Sequence, residues 1–316
     1  MNLKVIQQFQ KSWLECTESI RISLTLSGNT YNICINQCGY REIIIESSCE
    51  DDRYALIKLY NDLSTLLMLF DGYFVPVTEI CIDGQDITRD FLERRISCYT
   101  SADFMLGSSS RLLDFHKVLD GEILLRWIDL RKELDIIHNM VLYCLSDVEM
   151  PKDMQCAFMI ETFEGLKELV ENKKPEIKFG NAKCEKGRKE SKLAKYLIAF
   201  INHYGGIIFE NEIRSGIENF AQVLVNSRNR IGHIKRNQNR VYLKDGENVV
   251  YLMKLSLLYR IVLLDILGIS KDIYEVNLSS RTNVINNWMV TKEFLGTLQM
   301  MTVSDTSIKS DSQKST

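Results

Sequence analysis

The chain has 316 residues, 45% of them hydrophobic and 26% charged, with a formal net charge of −3. Such a chain buries a sizeable core and is long enough to be read as two domains. No run approaches the roughly 20 apolar residues that cross a bilayer, and the opening MNLKVIQQFQKSW has neither an apolar h-region nor a small-residue cleavage site, so neither a membrane span nor a secretory leader is expected and the protein is expected to be cytoplasmic.

In chain order, SIRISLTL, TYNICIN and REIIIES are short, rich in β-branched residues and alternate in polarity, and the SGN and QCGY between them are turn chemistry. They predict an antiparallel meander. In DDRYALIKLYNDLSTLLMLFDG the period changes: Leu56, Leu59, Leu63, Leu66, Leu67 and Phe70 fall at helical spacing, so a helix is expected to cover one face of the sheet. YFVPVTEICIDG and RRISCYTS return to the strand pattern. From about residue 115 the chain reads as helices. Leu124, Trp127, Leu130, Leu134, Ile137, Val141 and Cys144 trace one stripe of a long amphipathic helix, with Asp120 as its N-cap. MPKDMQCAFMIETFEGLKELVENKK gives a second helix with Pro151 near its first turn. Further helices fit ESKLAKYLIAFINHYGG, NEIRSGIENFAQVLVNSRNRIGH and GENVVYLMKLSLLYRIVLLDILGIS. The last run is interrupted by Lys254, Arg260 and Asp265, so it is a buried bundle helix and not a span. The end, VSDTSIKSDSQKST, is nearly devoid of apolar residues and reads as a disordered tail. The expected fold class is therefore α+β: an antiparallel β-rich domain over 1–114, an all-α bundle over 115–302 and a tail over 303–316.

Nine cysteines are scattered from Cys16 to Cys184, with no CxxC pair and no HExxH. They read as reduced, mostly buried thiols, Cys34 and Cys38 as strand core positions, and no metal centre is expected. His138 lies beside Ile137 on a strongly apolar helix and reads as structural. His116 and His203 fall at helix ends or loops, and HYGG reads as a C-cap on Gly205 or Gly206. The connector from Lys173 to Lys195 carries eight lysines and one arginine against three glutamates. It is a solvated surface or, beside a nucleic-acid site, a phosphate-steering one.

The most concentrated chemistry lies in SRNRIGHIKR. Its helix carries Ile213, Ile217, Phe220, Leu224 and Val225 on an apolar stripe, and between Asn226 and Arg240 stand Arg228, Arg230, Lys235, Arg236 and Arg240 with no acid. Cations in a last helical turn complement the helix dipole at about 0.3–1 kcal/mol each. That accounts for one or two of them and leaves the others, and His233, unexplained. Asn229 and His233 are one i, i+4 step apart, so the amide can orient the imidazole, whereas Arg228 is about 140° round the helix from His233. Two such helices meeting across a two-fold axis would interleave both copies in one cleft.

SRNRIGH resembles the R-N-x-x-x-H signature of HEPN-domain ribonucleases, with Arg228, Asn229 and His233 at the motif positions. NSRNRIGHIK followed by VVYLMKLSLLYRIVLLDILGIS is similar to the end of the ApeA-type HEPN domain of bacterial anti-phage defence proteins, and SCYTSADF, LLRWIDLRKELDIIHNMVLY and CAFMIETFEGL resemble that family's preceding stretch. The likeness runs from about residue 98 to 270. It implies a metal-independent endoribonuclease, with no cofactor, that acts as a homodimer on RNA. His233 moves the proton, Arg228 compensates phosphorane charge, and Asn229 holds the histidine or a phosphate oxygen. Arg230, Lys235, Arg236 and Arg240 bind RNA. Two other readings remain open: a catalytically inactive HEPN module that binds RNA or protein, and a HEPN toxin of a toxin–antitoxin pair. The β-rich domain would sense a phage-derived trigger or restrain the nuclease. Gly232, inside the expected helix, costs about 1 kcal/mol relative to alanine, and either admits another backbone or marks the helix end.

Overall fold

A computed structural model describes residues 1–8, 17–48, 53–72, 77–93, 111–145, 150–179, 192–233 and 240–312. The chain divides into two compact units. The first comprises Met1–Asp135 with Leu145–Val148, the second Ile136–Cys144 with Glu149–Thr316. The expected strand RRISCYTS and most of the lysine-rich connector lie outside the described residues.

The first unit is built on six strands: β1 Asn2–Gln8, β2 Thr17–Leu26, β3 Asn29–Gln37, β4 Tyr40–Ser47, β5 Val77–Ile82 and β6 Gln85–Asp86. They form one antiparallel sheet in the order β2-β3-β4-β1-β5-β6. The meander is thus as the alternation predicts, and β1, a strand not expected from the sequence, is inserted between β4 and β5. Register aligns Ile22, Ile33, Ile45, Leu3 and Ile82 across five neighbouring strands, and all five are buried. Such a cross-strand row is the stabilising unit of a sheet. Helix α1, Arg53–Asp71, buries Leu56, Leu59, Leu63, Leu66, Leu67 and Phe70, the stripe expected from sequence. At its end the fully buried Arg41 and Asp71 pair at 2.8 Å, with the Arg111 Nε 3.1 Å from the same carboxylate. Burying either charge without the other would be costly.

After the short α2, Thr88–Glu93, and a 3-10 turn at Phe115–Lys117, helix α3 spans Gly121–Cys144. Asp120 caps it, accepting from the Ile123 amide at 2.7 Å. The single long helix expected here is interrupted at Asp135, which has φ 38° and ψ −116°, a conformation L-residues rarely adopt. Trp127 on its first half is fully buried and its indole N–H donates to the Asp62 carbonyl at 2.8 Å.

The second unit contains α4 Lys152–Lys173, α5 Lys192–Tyr204, α6 Glu210–His233, α7 Asp245–Ile266, α8 Glu275–Asn286 and α9 Met289–Ser312. Helix α4 packs on α6 and α7, and α6 also on α5 and α9. Phe220, Tyr251 and Phe294 join α6, α7 and α9 through ring pairs 5.0 to 6.4 Å apart. The backbone is helical to Ser312, well into the stretch expected to be a disordered tail, and 313–316 lie outside the described residues. Among the described residues no helix is long and apolar enough to cross a membrane.

The cysteines require two corrections. Cys38 is disulfide-bonded, whereas Cys34, Cys81, Cys144 and Cys156 are free thiols; spacing alone does not reveal connectivity. Cys34 is also out of phase with the core, because Tyr31, Ile33 and Ile35 take the inward positions of β3 and leave it on the half-exposed face.

Candidate functional site

The geometry of the site begins with a break in α6. Gly216 has φ 115° and ψ 90°, open to glycine because it has no Cβ. The break resets the helical phase. Before it the inward residues are Glu212 and Ser215, with Ile213 only half-buried; after it Ile217, Phe220, Ala221, Leu224 and Val225 are buried. The expected uninterrupted stripe from Ile213 is therefore corrected: an acid takes the inward place in the first turn. Glu212 is fully buried and accepts from Lys254 Nζ at 2.5 Å and Tyr251 Oη at 2.9 Å. Burial pulls the Lys254 pKa below the usual lysine value although Glu212 opposes this.

The second segment of α6 delivers the basic motif. Asn226 Nδ2 donates to the Val241 carbonyl at 3.0 Å, and Ser227 Oγ accepts from the Leu243 amide at 2.7 Å while donating to the Val223 carbonyl. These bonds hold the returning segment at 240–244 against the helix end. Helix α6 continues through Gly232 and ends at His233. A Cβ on Gly232 would meet nothing within 4 Å. Among the described residues, then, nothing closely approaches Gly232 from its Cβ side.

Arg228 is half-buried and meets a residue that no motif in the sequence includes. Glu161, on α4, takes the Arg228 Nε and Nη2 in a two-pronged ion pair, with Nη2 to Oε1 at 2.6 Å. Nη1 donates to Asn229 Oδ1 at 2.9 Å. Among the described residues these contacts engage three of the five guanidinium N–H groups, leaving two for a ligand. Glu161 also holds the guanidinium more firmly in its charged form, aided by Glu164. The pair is about a quarter to a third exposed, so solvent screens it and its net contribution is about 1 kcal/mol or less. A phosphate can therefore compete for the cation. The amide oxygen of Asn229 accepts from Arg228; the side chain of His233, which the i, i+4 spacing is expected to bring to this amide, lies outside the described ones.

Arg230 lies over Tyr242, with its guanidinium carbon 4.2 Å from the ring centroid. Arg230 and Arg240 are exposed. Lys235 and Arg236 lie outside the described residues. Thus Arg228, Asn229, Arg230 and Arg240 gather at one end of α6, with Glu161 and Tyr242 added by the fold. Only a tertiary contact joins Glu161 to Arg228, 67 positions apart; the signal in sequence is at most an acid on a helix of the same bundle.

The other histidines have structural partners. His138 is buried, its Nδ1 2.9 Å from the Tyr259 hydroxyl. His116 Nδ1 is 2.7 Å from Asp114. His203 lies edge-on to Tyr204 at 4.6 Å. Gly205 ends α5 by donating to the Ile201 carbonyl at 2.8 Å, and a Cβ there would come within 2.9 Å of Phe209.

The second unit is thus a helical bundle that presents an arginine, an asparagine and further cations at one helix end. Residues 152–273 match the family model described as Apea-like HEPN, so this segment carries an ApeA-type HEPN domain. The match begins at the start of α4, downstream of the expected likeness from about 98. Comparison with curated proteins and with solved structures gives no match.

Proposed function

We propose that the chain is a metal-independent endoribonuclease of anti-phage defence that works as a homodimer on RNA. The observation that carries this reading is the place of Arg228, Asn229 and His233 in the last turns of α6, inside the segment similar to the HEPN family. RNA brings its own nucleophile, the 2′-hydroxyl, so the protein's task is alignment, proton transfer and charge compensation. Histidine is the side chain whose ordinary pKa, about 6.5, suits proton exchange near neutrality, and that is the task we assign to His233. The 2′-oxygen forms a bond to phosphorus as the bond to the 5′-oxygen breaks, and the departing oxygen takes a proton. The products end in a 2′,3′-cyclic phosphate and a 5′-hydroxyl. Arg228 meets the negative charge of the phosphorane through the N–H groups that Glu161 and Asn229 leave open. Arg230, Lys235, Arg236 and Arg240 hold the RNA backbone.

A second reading, a silent module that binds RNA or protein, is favoured by one observation: Arg228 is already engaged by Glu161. Substitutions His233→Ala and Arg228→Ala separate the two. On the first reading, each folded dimer loses cleavage by about 100-fold or more while still binding RNA. A variant that dimerises and cuts as the parent does ends the assignment of activity to this motif. The N-terminal unit, with its separate β-sheet core, is assigned the role of sensing a phage-derived trigger or restraining the bundle.

A further inference from the structure

Tyr242 belongs to no motif in the sequence, yet the return segment lays its ring beneath Arg230 at 4.2 Å. One explanation is that the pair tethers this segment to α6. The segment is already tied by Asn226 to Val241, by Ser227 to Leu243, and by Asn248 Nδ2 to the Leu243 carbonyl, and the Leu243 side chain is buried. A cation on an aromatic ring at an exposed position adds little to such an anchorage. Holding a long arginine in one place also gives up side-chain freedom. What the pair does create is a guanidinium set over an aromatic ring, with Arg230 exposed.

From these contacts we infer that Arg230 and Tyr242 form a stacking platform for an unpaired base of single-stranded RNA. The inference rests on the proposed action on RNA and deepens it. A guanidinium plane and an aromatic ring are both surfaces on which nucleobases stack, and a cation already in line with a ring adds its charge to the contact. Position 230 is one i, i+3 step from position 233 on α6, so the platform shares a face with the motif histidine position. Arg228 is about 200° away on the same helix. The RNA would thus cross the helix end with a base on the platform and its backbone directed toward the motif. In a duplex both base faces are covered, so only unpaired nucleotides fit. Arg230 thereby acquires a base-contacting role, and Tyr242 joins the site.

The test uses the full chain carrying His233→Ala and three fluorescent probes: oligoadenylate, oligouridylate and an abasic oligomer of equal phosphate number. We expect adenylate to bind tighter than uridylate and the abasic chain weakest. Tyr242→Ala should weaken adenylate binding about tenfold and leave abasic binding unchanged, whereas Tyr242→Phe restores the parent value. Arg230→Lys, which keeps the charge and loses the plane, should reduce the preference of adenylate over abasic. Equal losses on adenylate and abasic probes, or no loss with either variant at unchanged circular dichroism, overturn the platform and leave this surface to phosphate or to a protein partner. Cleavage by the parent chain is assayed in parallel. Base-dependent binding without any cleavage supports the platform and refutes the nuclease reading, while cleavage with base-independent binding does the reverse.

Discussion

Glu161 changes the electrostatic character of the motif. By sequence, the stretch from Asn226 to Arg240 holds five cations and no acid; in the fold, a carboxylate from α4 closes on Arg228 from one side. We expect Glu161→Gln, which preserves shape and removes the charge, to leave the guanidinium less well aligned and to lower kcat roughly tenfold. The melting point should fall only slightly, because a pair this exposed contributes little to stability. An unchanged kcat would show that Arg228 needs no positioning by Glu161. A second residue-scale prediction concerns Cys144, whose thiol pKa burial pushes up to about 12. An unfolded cysteine ionises near pH 8.5, so above that pH the folded chain keeps a proton the unfolded chain has released. Stability contributed by this thiol is full below about pH 8.5 and is lost as pH rises toward 12. Cys144→Ala should therefore flatten the alkaline decline in urea-unfolding free energy; parent and variant curves that stay parallel from pH 8 to 10.5 would refute it.

At the scale of elements, helix existence is legible in the sequence and helix phase is not. The apolar spacing of α1 and the Asp120 cap of α3 can be read because they depend on local period and local hydrogen bonding. The breaks at Asp135 and Gly216 cannot, because both segments continue a helical pattern on either side of a single residue with positive φ. Gly216 is the one visible signal, since a glycine inside a helix pattern weakens the helix there and often has a packing or functional reason. Its break turns Glu212 inward to Lys254 and Tyr251. Gly216→Ala should destabilise the chain by roughly 1–3 kcal/mol, since alanine is strained at that φ. Urea unfolding measures this, and a variant as stable as the parent would mean that α6 tolerates a continuous helix.

For the whole molecule, the decisive measurements are assembly and salt dependence. Sedimentation should give twice the chain mass of 36.6 kDa, and a monomer that cleaves RNA would remove the two-fold cleft. Binding of single-stranded RNA should weaken linearly in log–log plots against salt, with Arg240→Ala reducing the slope by about 0.7 for one lost phosphate contact. A test of restraint by the N-terminal unit should remove residues through 135 and not end near 115, because Trp127 is buried in that unit with Asp62. Toxicity of the shortened chain no greater than that of the parent would count against restraint.

The sequence by itself determined the β-then-α order, the meander, the existence of the helices, the stripe of α1 and the basic helix end with its HEPN-like motif. Each is a matter of local period or local residue chemistry, fixed within a turn or a strand. Only the tertiary structure decided that Glu161 grips Arg228, that Tyr242 lies under Arg230 and that Glu212 is buried against Lys254. Those pairings join residues from 12 to 67 positions apart, and their partners are selected by how helices and the return segment pack, which no local pattern encodes.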